Sequence, residues 1–271
     1  MTRASEPQVF KQRIREQWNE VAARWHRWTP FMRDLYAPAT ALMLDLAHLE
    51  PGDHVLDVAA GDGYQSIAAA QRVGSGGHVL AVDLAPEQLK YAAAAAQQAG
   101  IEHIETRVMD GENLDLADAS FDAVLCHFGL MFFPDPDRGL RAMRRVLKPG
   151  ARASLVIYAV GGSPESVLAS SIIRSRLGEE TRQPERLSGG SLGAPGVLKR
   201  KLEAAGFRAV EAHAVSVRLR LDSAADAGKY LREVYPTLGE MMAPLAADAR
   251  EEVWQQIDQA LAAFERVTPL L

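Results

Sequence analysis

"HVLDVAAGDGYQSIAAA", residues 54–70, is the stretch from which the fold is read. His54–Val58 is an apolar run that carries one acid, Asp57, and it suits a central parallel strand. Small residues follow, Ala59, Ala60, Gly61 and Gly63, and a helix is predicted from Tyr64 to Val73. A strand, a turn without side-chain bulk and a helix start place backbone amides at the carboxyl edge of a sheet. The positive end of the helix dipole points the same way, and open parallel sheets bind ligands there. Gly61 and Gly63 allow backbone angles and a close approach that a Cβ would block. A tight turn alone would use the same glycines.

Working outward, the alternation of strand and helix repeats. "HVLAVD" (78–83) is predicted as strand two, and Pro86 opens a helix that stops at Gly100. Strand three is expected around Ile104–Met109 and strand four at "FDAVLCHF" (121–128). Asp135 caps a helix opened by Pro136, and "KPG" (148–150) turns into strand five, "ARASLVIYA". This order predicts an α/β fold with a doubly wound, mostly parallel sheet. Before it, Ile14, Trp18, Val21, Ala22 and Trp25 recur at helical spacing, with Pro30 expected to close that helix and Pro38 to start another. After it, a helix is expected from Ser163 and Pro164 to Leu177. A polar Gly- and Pro-rich lid is expected at 178–196, then a helix at 197–205 and a long strand region at 207–221. Two helices, roughly 223–235 and 246–266, complete the chain. We read it as a single domain, 1–271: an N-terminal helical lid (1–49), a core (50–160), and a helical insertion, last-strand region and C-terminal helices (161–271).

Composition narrows the function. The 271 residues have an ordinary globular balance and a formal net charge of −5. Basic residues do not form long blocks, so nucleic acid is disfavoured as the main partner. The single cysteine, Cys126, forms no intramolecular disulfide and builds no thiolate metal cluster. A reducing compartment fits, and with no apolar core of signal-peptide length at the N-terminus a cytoplasmic location is expected. No run is apolar for the ~18 residues that suggest a membrane span.

Three acids single out the ligand class. Asp57 precedes the small-residue turn, and Asp83 ends strand two, where a carboxylate accepts both hydroxyls of a ribose. Asp110 lies just beyond strand three, placed to accept from an adenine amino group, with Gly111 and Glu112 next to it. The third glycine of a dinucleotide loop is missing, since Tyr64, Gln65 and Ser66 follow Gly63. No Lys-Ser/Thr pair serves a triphosphate.

The motifs "VLDVAAGDG", "AVDLAPEQL", "MDGENLDLADASFDAV", "FGLMFFPDPDRGLRAMRRVLKPGA" and "LEAAGF" together resemble the class I S-adenosylmethionine-dependent methyltransferases. Within that class the chain is similar to the small-molecule group that includes the ubiquinone and menaquinone biosynthesis C-methyltransferases. The resemblance implies a Rossmann-like methyltransferase fold, S-adenosyl-L-methionine as cofactor and S-adenosyl-L-homocysteine as product. It implies that Asp57, Ala59, Gly61 and Gly63 line the methionine and ribose part, and that Asp83 holds the ribose with Leu84 against the adenine. Asp110, Gly111 and Glu112 would face the adenine, and His127 would lie near the methionine. Ala59 stands where the family usually has its first glycine, and Trp25 where a tyrosine is common. Relatives finish with a strand antiparallel to the sheet, for which "AVSVRLRL" is the available segment. Otherwise a sheet edge is left for a partner chain, compatible with a homo-oligomer.

The expected reaction is methyl transfer to oxygen or carbon of a small, partly apolar or aromatic metabolite by in-line displacement. Alignment of that kind supplies roughly 7–11 kcal/mol, so a fixed catalytic residue is not required. If a base exists, His127 is the candidate. Trp25, Tyr36 and Phe128 are the candidates for the acceptor's pocket. The lone cysteine argues against arsenite methylation, for which relatives use several. The alternative is a non-catalytic protein that keeps the fold and binds the cofactor or another ligand.

Overall fold

The computed structural model describes residues 6–159, 163–178 and 192–265. The chain divides into two compact units, one of Met1–Ile157 with Leu192–Val217, the other of Tyr158–Ser191 with Arg218–Leu271.

The first unit holds a five-stranded sheet, all parallel. Its strands are β1 (His54–Val58), β2 (His78–Asp83), β3 (Ile104–Val108), β4 (Phe121–His127) and β5 (Leu147–Val156). They lie in the order β3-β2-β1-β4-β5. The crossover helices are α2 (Tyr64–Val73), α3 (Pro86–Gln98) and α4 (Pro136–Val146), the last capped by Asp135 accepting from the Arg138 amide. The order reverses between β1 and β4, so the crevice beyond their carboxyl ends is the switch point. β1 and β4 are buried nearly throughout, which explains their continuous apolar runs. One core layer joins Leu56, Val82, Val124, Leu140 and Met143. The other joins Met43, Val55, Ala69, Val79 and Leu125.

Three expectations are corrected. The N-terminal segment is one helix, α1 (Glu6–Ala47), which runs through both Pro30 and Pro38. Each proline lacks an amide donor and ordinarily costs about 3 kcal/mol inside a helix. Here Val21, Ala22, Met32, Tyr36, Ala39, Met43 and Ala47 are buried along one side, and packing outweighs the local penalty. Residues 207–221 form no strand, and 211–218 are exposed. The alternation of small apolar and polar residues signals a strand only when a partner edge covers one face, and among the described residues none pairs with it. "AVSVRLRL" therefore adds no strand. The third correction concerns the C-terminal helices, which are three, α7 (Ala224–Val234), α8 (Pro236–Met241) and α9 (Ala247–Glu265), because Pro236 restarts the chain.

Of the expected lid, residues 179–191 lie outside the described residues. Leu192 is buried in the core, and Gly196 precedes α6 (Val197–Ala204). In the second unit α5 (Pro164–Leu177) joins α7, α8 and α9 around Ile173, Leu231, Leu238, Val253 and Ile257. No described helix is long and apolar enough to cross a membrane.

Candidate functional site

The site is built at the carboxyl ends of β1, β2 and β3. Asp57 is fully buried, and its register partners are Ala81 on one side and Leu125 on the other. One carboxylate oxygen accepts from the Ser66 hydroxyl at 2.5 Å, while Oδ1 is buried without a partner. Burial pushes its pKa up to about 7, against the pull of the hydrogen bond from Ser66.

The turn after β1 is folded tightly. Ala59, Gly61 and Gly63 all have positive φ, at 58°, 58° and 81°. For Ala59 this is a strained backbone, of the kind that concentrates at functional sites. The two glycines differ in purpose. A Cβ on Gly63 would lie 2.7 Å from the Cβ of Ala92 in α3, whereas one on Gly61 would meet nothing within 4 Å. Gly63 is small so that two helices can approach; Gly61 faces open space.

Asp83 receives the Gly61 amide at 2.9 Å on one oxygen and the Ala85 amide at 2.8 Å on the other. It thus holds the glycine turn to the end of β2. Leu84 follows it, half-buried. Burial raises the pKa of Asp83, opposed by these amides.

Asp110 accepts the Glu112 amide at 2.9 Å on Oδ1. Gly111 between them has no room for a side chain, since a Cβ would lie 2.4 Å from the Phe133 ring. Glu112 is buried and accepts the Asp135 amide at 2.7 Å. Lys11 of α1 reaches both acids at 2.6 Å, and their pull outweighs burial and raises its pKa.

His127 ends β4 and is buried. Its Nδ1 lies 2.8 Å from the Tyr64 hydroxyl and its Nε2 3.3 Å from the Thr40 hydroxyl. Burial lowers its pKa to about 3, so the imidazole is neutral. Phe128 has φ 55° and meets Tyr36 edge to face at 4.8 Å. Trp25 packs on Trp18 at 5.0 Å, and Trp18 on Phe132 at 5.4 Å. α1 is tied to the glycine turn by the Thr29 hydroxyl donating to buried Asp62, with His26 also facing that acid.

The structure thus brings Asp57, Ala59, Gly61, Gly63, Asp83 and Leu84 together, with Asp110, Gly111 and Glu112 at the next strand. His127, Phe128 and Tyr36 gather at β4, and Trp25 lies in a separate aromatic group. Sequence reasoning missed Lys11, Thr40, Asp62 and Tyr64. Asp62 and Tyr64 lie in the quoted stretch and had a positional signal. Lys11 and Thr40 had none, being joined to their partners only through the path of α1.

Residues 55–150 match the family described as methyltransferase domain. The nocamycin O-methyltransferase of Saccharothrix syringae is 30% identical over 201 residues, covering 70% of this chain and 72% of that protein. The chain belongs to the class I S-adenosylmethionine-dependent methyltransferases. Membership makes S-adenosylmethionine its cofactor. An arsenite methyltransferase of Halobacterium salinarum is 32% identical over 168 residues, 61% of this chain and 40% of that one. The chain spans less than half the length of several other curated relatives it matches, 46% and 40% in two of them. A solved S-adenosylmethionine-dependent methyltransferase from Aquifex aeolicus shares the fold, with TM-score 0.54 and 22% identity over 69% of this chain and 88% of that chain.

Proposed function

We propose that this methyltransferase moves a methyl group from S-adenosylmethionine to oxygen or carbon of a small, partly apolar or aromatic metabolite. Within its class it would belong to the small-molecule group that resembles the ubiquinone and menaquinone C-methyltransferases. The observation that carries the reading is the row of carboxylates, Asp57, Asp83 and Asp110, at the carboxyl ends of three neighbouring strands, β1, β2 and β3. The residues fit the cofactor on two counts. Asp57 Oδ1 is a buried acceptor with no protein donor, and the Gly61 backbone fronts space that a side chain would fill.

Asp57, Ala59, Gly61 and Gly63 would hold the methionine and ribose part, Asp83 and Leu84 the ribose and adenine, and Asp110, Gly111 and Glu112 the adenine edge. When bound, the cofactor supplies an electrophilic methyl on a sulfonium. The protein's part is to orient an acceptor against that methyl and to keep water out. Tyr36 and Phe128 give that region an apolar face, with His127 beside them. Both nitrogens of His127 are engaged and its pKa is near 3, which favours an orienting role over proton abstraction at neutral pH. The similarity to an O-methyltransferase supports oxygen as the acceptor atom. The buried, lone Cys126, its thiol pushed up to about 12, speaks against arsenite as substrate. A small-molecule acceptor rather than nucleic acid, a cytoplasmic location, and a single catalytic unit with α1 as its cover belong to the same proposal.

Calorimetry with S-adenosylhomocysteine, followed by transfer of labelled methyl to a panel of phenols, quinols and carboxylates, tests it. Micromolar binding and transfer to at least one acceptor are expected. Binding without transfer to any acceptor would favour the non-catalytic alternative, and no binding would overturn both.

A further inference from the structure

Lys11 lies 99 positions from Asp110 in sequence, and its Nζ is 2.6 Å from Asp110 Oδ2 and 2.6 Å from Glu112 Oε2. The Lys11 side chain is 19% exposed, that of Asp110 30% and that of Glu112 3%. Two carboxylates this close repel, and one of them is withdrawn from water, so a cation shared between them offsets that repulsion. The remaining oxygens are fixed from elsewhere. Asp110 Oδ1 takes the Glu112 amide, and Glu112 Oε1 takes the Asp135 amide. The Arg138 guanidinium donates to the Glu112 carbonyl. Lys11 thus ties both acids to α1. The pair also joins α1 to the loop after β3.

We propose that Lys11 is a positioning residue for the purine end of the cofactor site. By clamping the Asp110 carboxylate between its own ammonium and the Glu112 amide, it presents the free lone pairs of that carboxylate to the purine. It fixes the orientation of the acid and thereby sets preference for a 6-amino over a 6-oxo purine. This rests on the reading of Asp110 given above. A carboxylate accepts from an exocyclic amine but repels a carbonyl oxygen placed at the same point, so discrimination depends on the acid being charged and fixed. Lys11 touches Asp110 and Glu112, and its effect passes through them. The salt bridge also makes cofactor affinity depend on the first turns of α1 being docked.

The test is calorimetric affinity for S-adenosylhomocysteine and for its 6-oxo counterpart, S-inosylhomocysteine, in the full chain. The wild type, K11M, K11Q, K11R and D110N are compared. The wild type is expected to prefer the 6-amino ligand by about tenfold or more, in line with the cost of leaving a charged acceptor unmatched. K11M and K11Q are expected to bind S-adenosylhomocysteine about fivefold more weakly and to lose most of the preference, and K11R to return both to within about twofold. Using both uncharged variants guards against one failing to fold, and Lys11 lies outside the buried core. Should D110N weaken binding while K11M and K11Q match the wild type, or should K11R fail to restore the preference, the Lys11 role is overturned and the site stands. Should D110N bind as the wild type does, or the wild type not discriminate, the reading of Asp110 itself falls, and the role of Lys11 with it.

Discussion

The Tyr64 hydroxyl lies 2.8 Å from His127 Nδ1, joining the first residue of α2 to the last residue of β4. The Thr40 hydroxyl donates to the Tyr36 carbonyl at 3.1 Å, so its oxygen is left to accept from His127 Nε2 at 3.3 Å. That makes Nε2 the protonated nitrogen and Nδ1 the acceptor of the Tyr64 proton. Burial raises the phenol's pKa, so it stays a donor. Tyr64→Phe leaves a buried ring nitrogen without its donor and is expected to cost roughly 1–3 kcal/mol in urea unfolding. A loss below about 0.5 kcal/mol, the range of ordinary surface changes, would show that the bond is not made in solution.

The same histidine predicts acid sensitivity. Its folded pKa is near 3, below the ordinary 6.5, so the unfolded chain binds a proton that the folded protein does not. Its contribution to stability is present above 6.5 and is lost as pH falls toward 3. Melting temperature measured from pH 7 to 4 is expected to fall less steeply for His127→Asn than for the wild type. Parallel profiles would mean that His127 is solvated and titrates normally.

Asp57 carries the opposite sign. Its folded pKa, about 7, exceeds the ordinary 3.8, so the folded protein keeps a proton that the unfolded chain releases. That contribution is full below about 4 and is lost as pH rises to 7. A ligand that donates to Oδ1 prefers the ionised acid. Affinity for S-adenosylhomocysteine is therefore expected to drop by about tenfold per pH unit below 7, approaching one proton released per binding event. Calorimetry in buffers of different ionisation enthalpy reads this directly, and Asp57→Asn is expected to flatten the profile. A wild type with pH-independent affinity between 5 and 8 would place the ligand away from Asp57.

The two glycines of the turn separate folding from binding. Gly63→Ala forces a Cβ against Ala92 at a backbone angle L residues rarely adopt, and roughly 1–3 kcal/mol of stability should be lost. Gly61→Ala meets no protein atom, so its stability cost is confined to the backbone, about 1 kcal/mol, while cofactor affinity is expected to fall tenfold or more. Paired urea titrations and calorimetry distinguish them. Equal binding loss with no stability difference would remove the distinction.

Asp83→Ala removes the acceptor of both the Gly61 and the Ala85 amides. It is expected to weaken S-adenosylhomocysteine binding by tenfold or more, about 1–3 kcal/mol, through lost ligand bonds and a loosened turn. Unchanged affinity in the folded variant would remove the ribose from this acid.

Local chemistry was enough to read most of the sheet unit. Apolar runs mark β1, β2 and β4 and helical periodicity marks α2 to α4, because a buried parallel strand must be apolar throughout and a crossover helix must be apolar on one face. The glycines of the turn and the acids at strand ends follow from backbone sterics and charge, which are also local. The acids at the carboxyl ends of β1, β2 and β3 converge because parallel strands put all those ends on one side. Contacts between distant segments decided the rest. α1 passes through two prolines because its buried side chains outweigh two missing amide bonds. Residues 207–221 carry a strand's alternation yet pair with nothing described, since a ladder needs a second edge that composition does not supply. Lys11, Thr40 and Tyr64 meet Asp110, Glu112 and His127 only once α1 and α2 are packed on the sheet. A pairwise contact energy between residues tens of positions apart leaves no periodic mark in the chain.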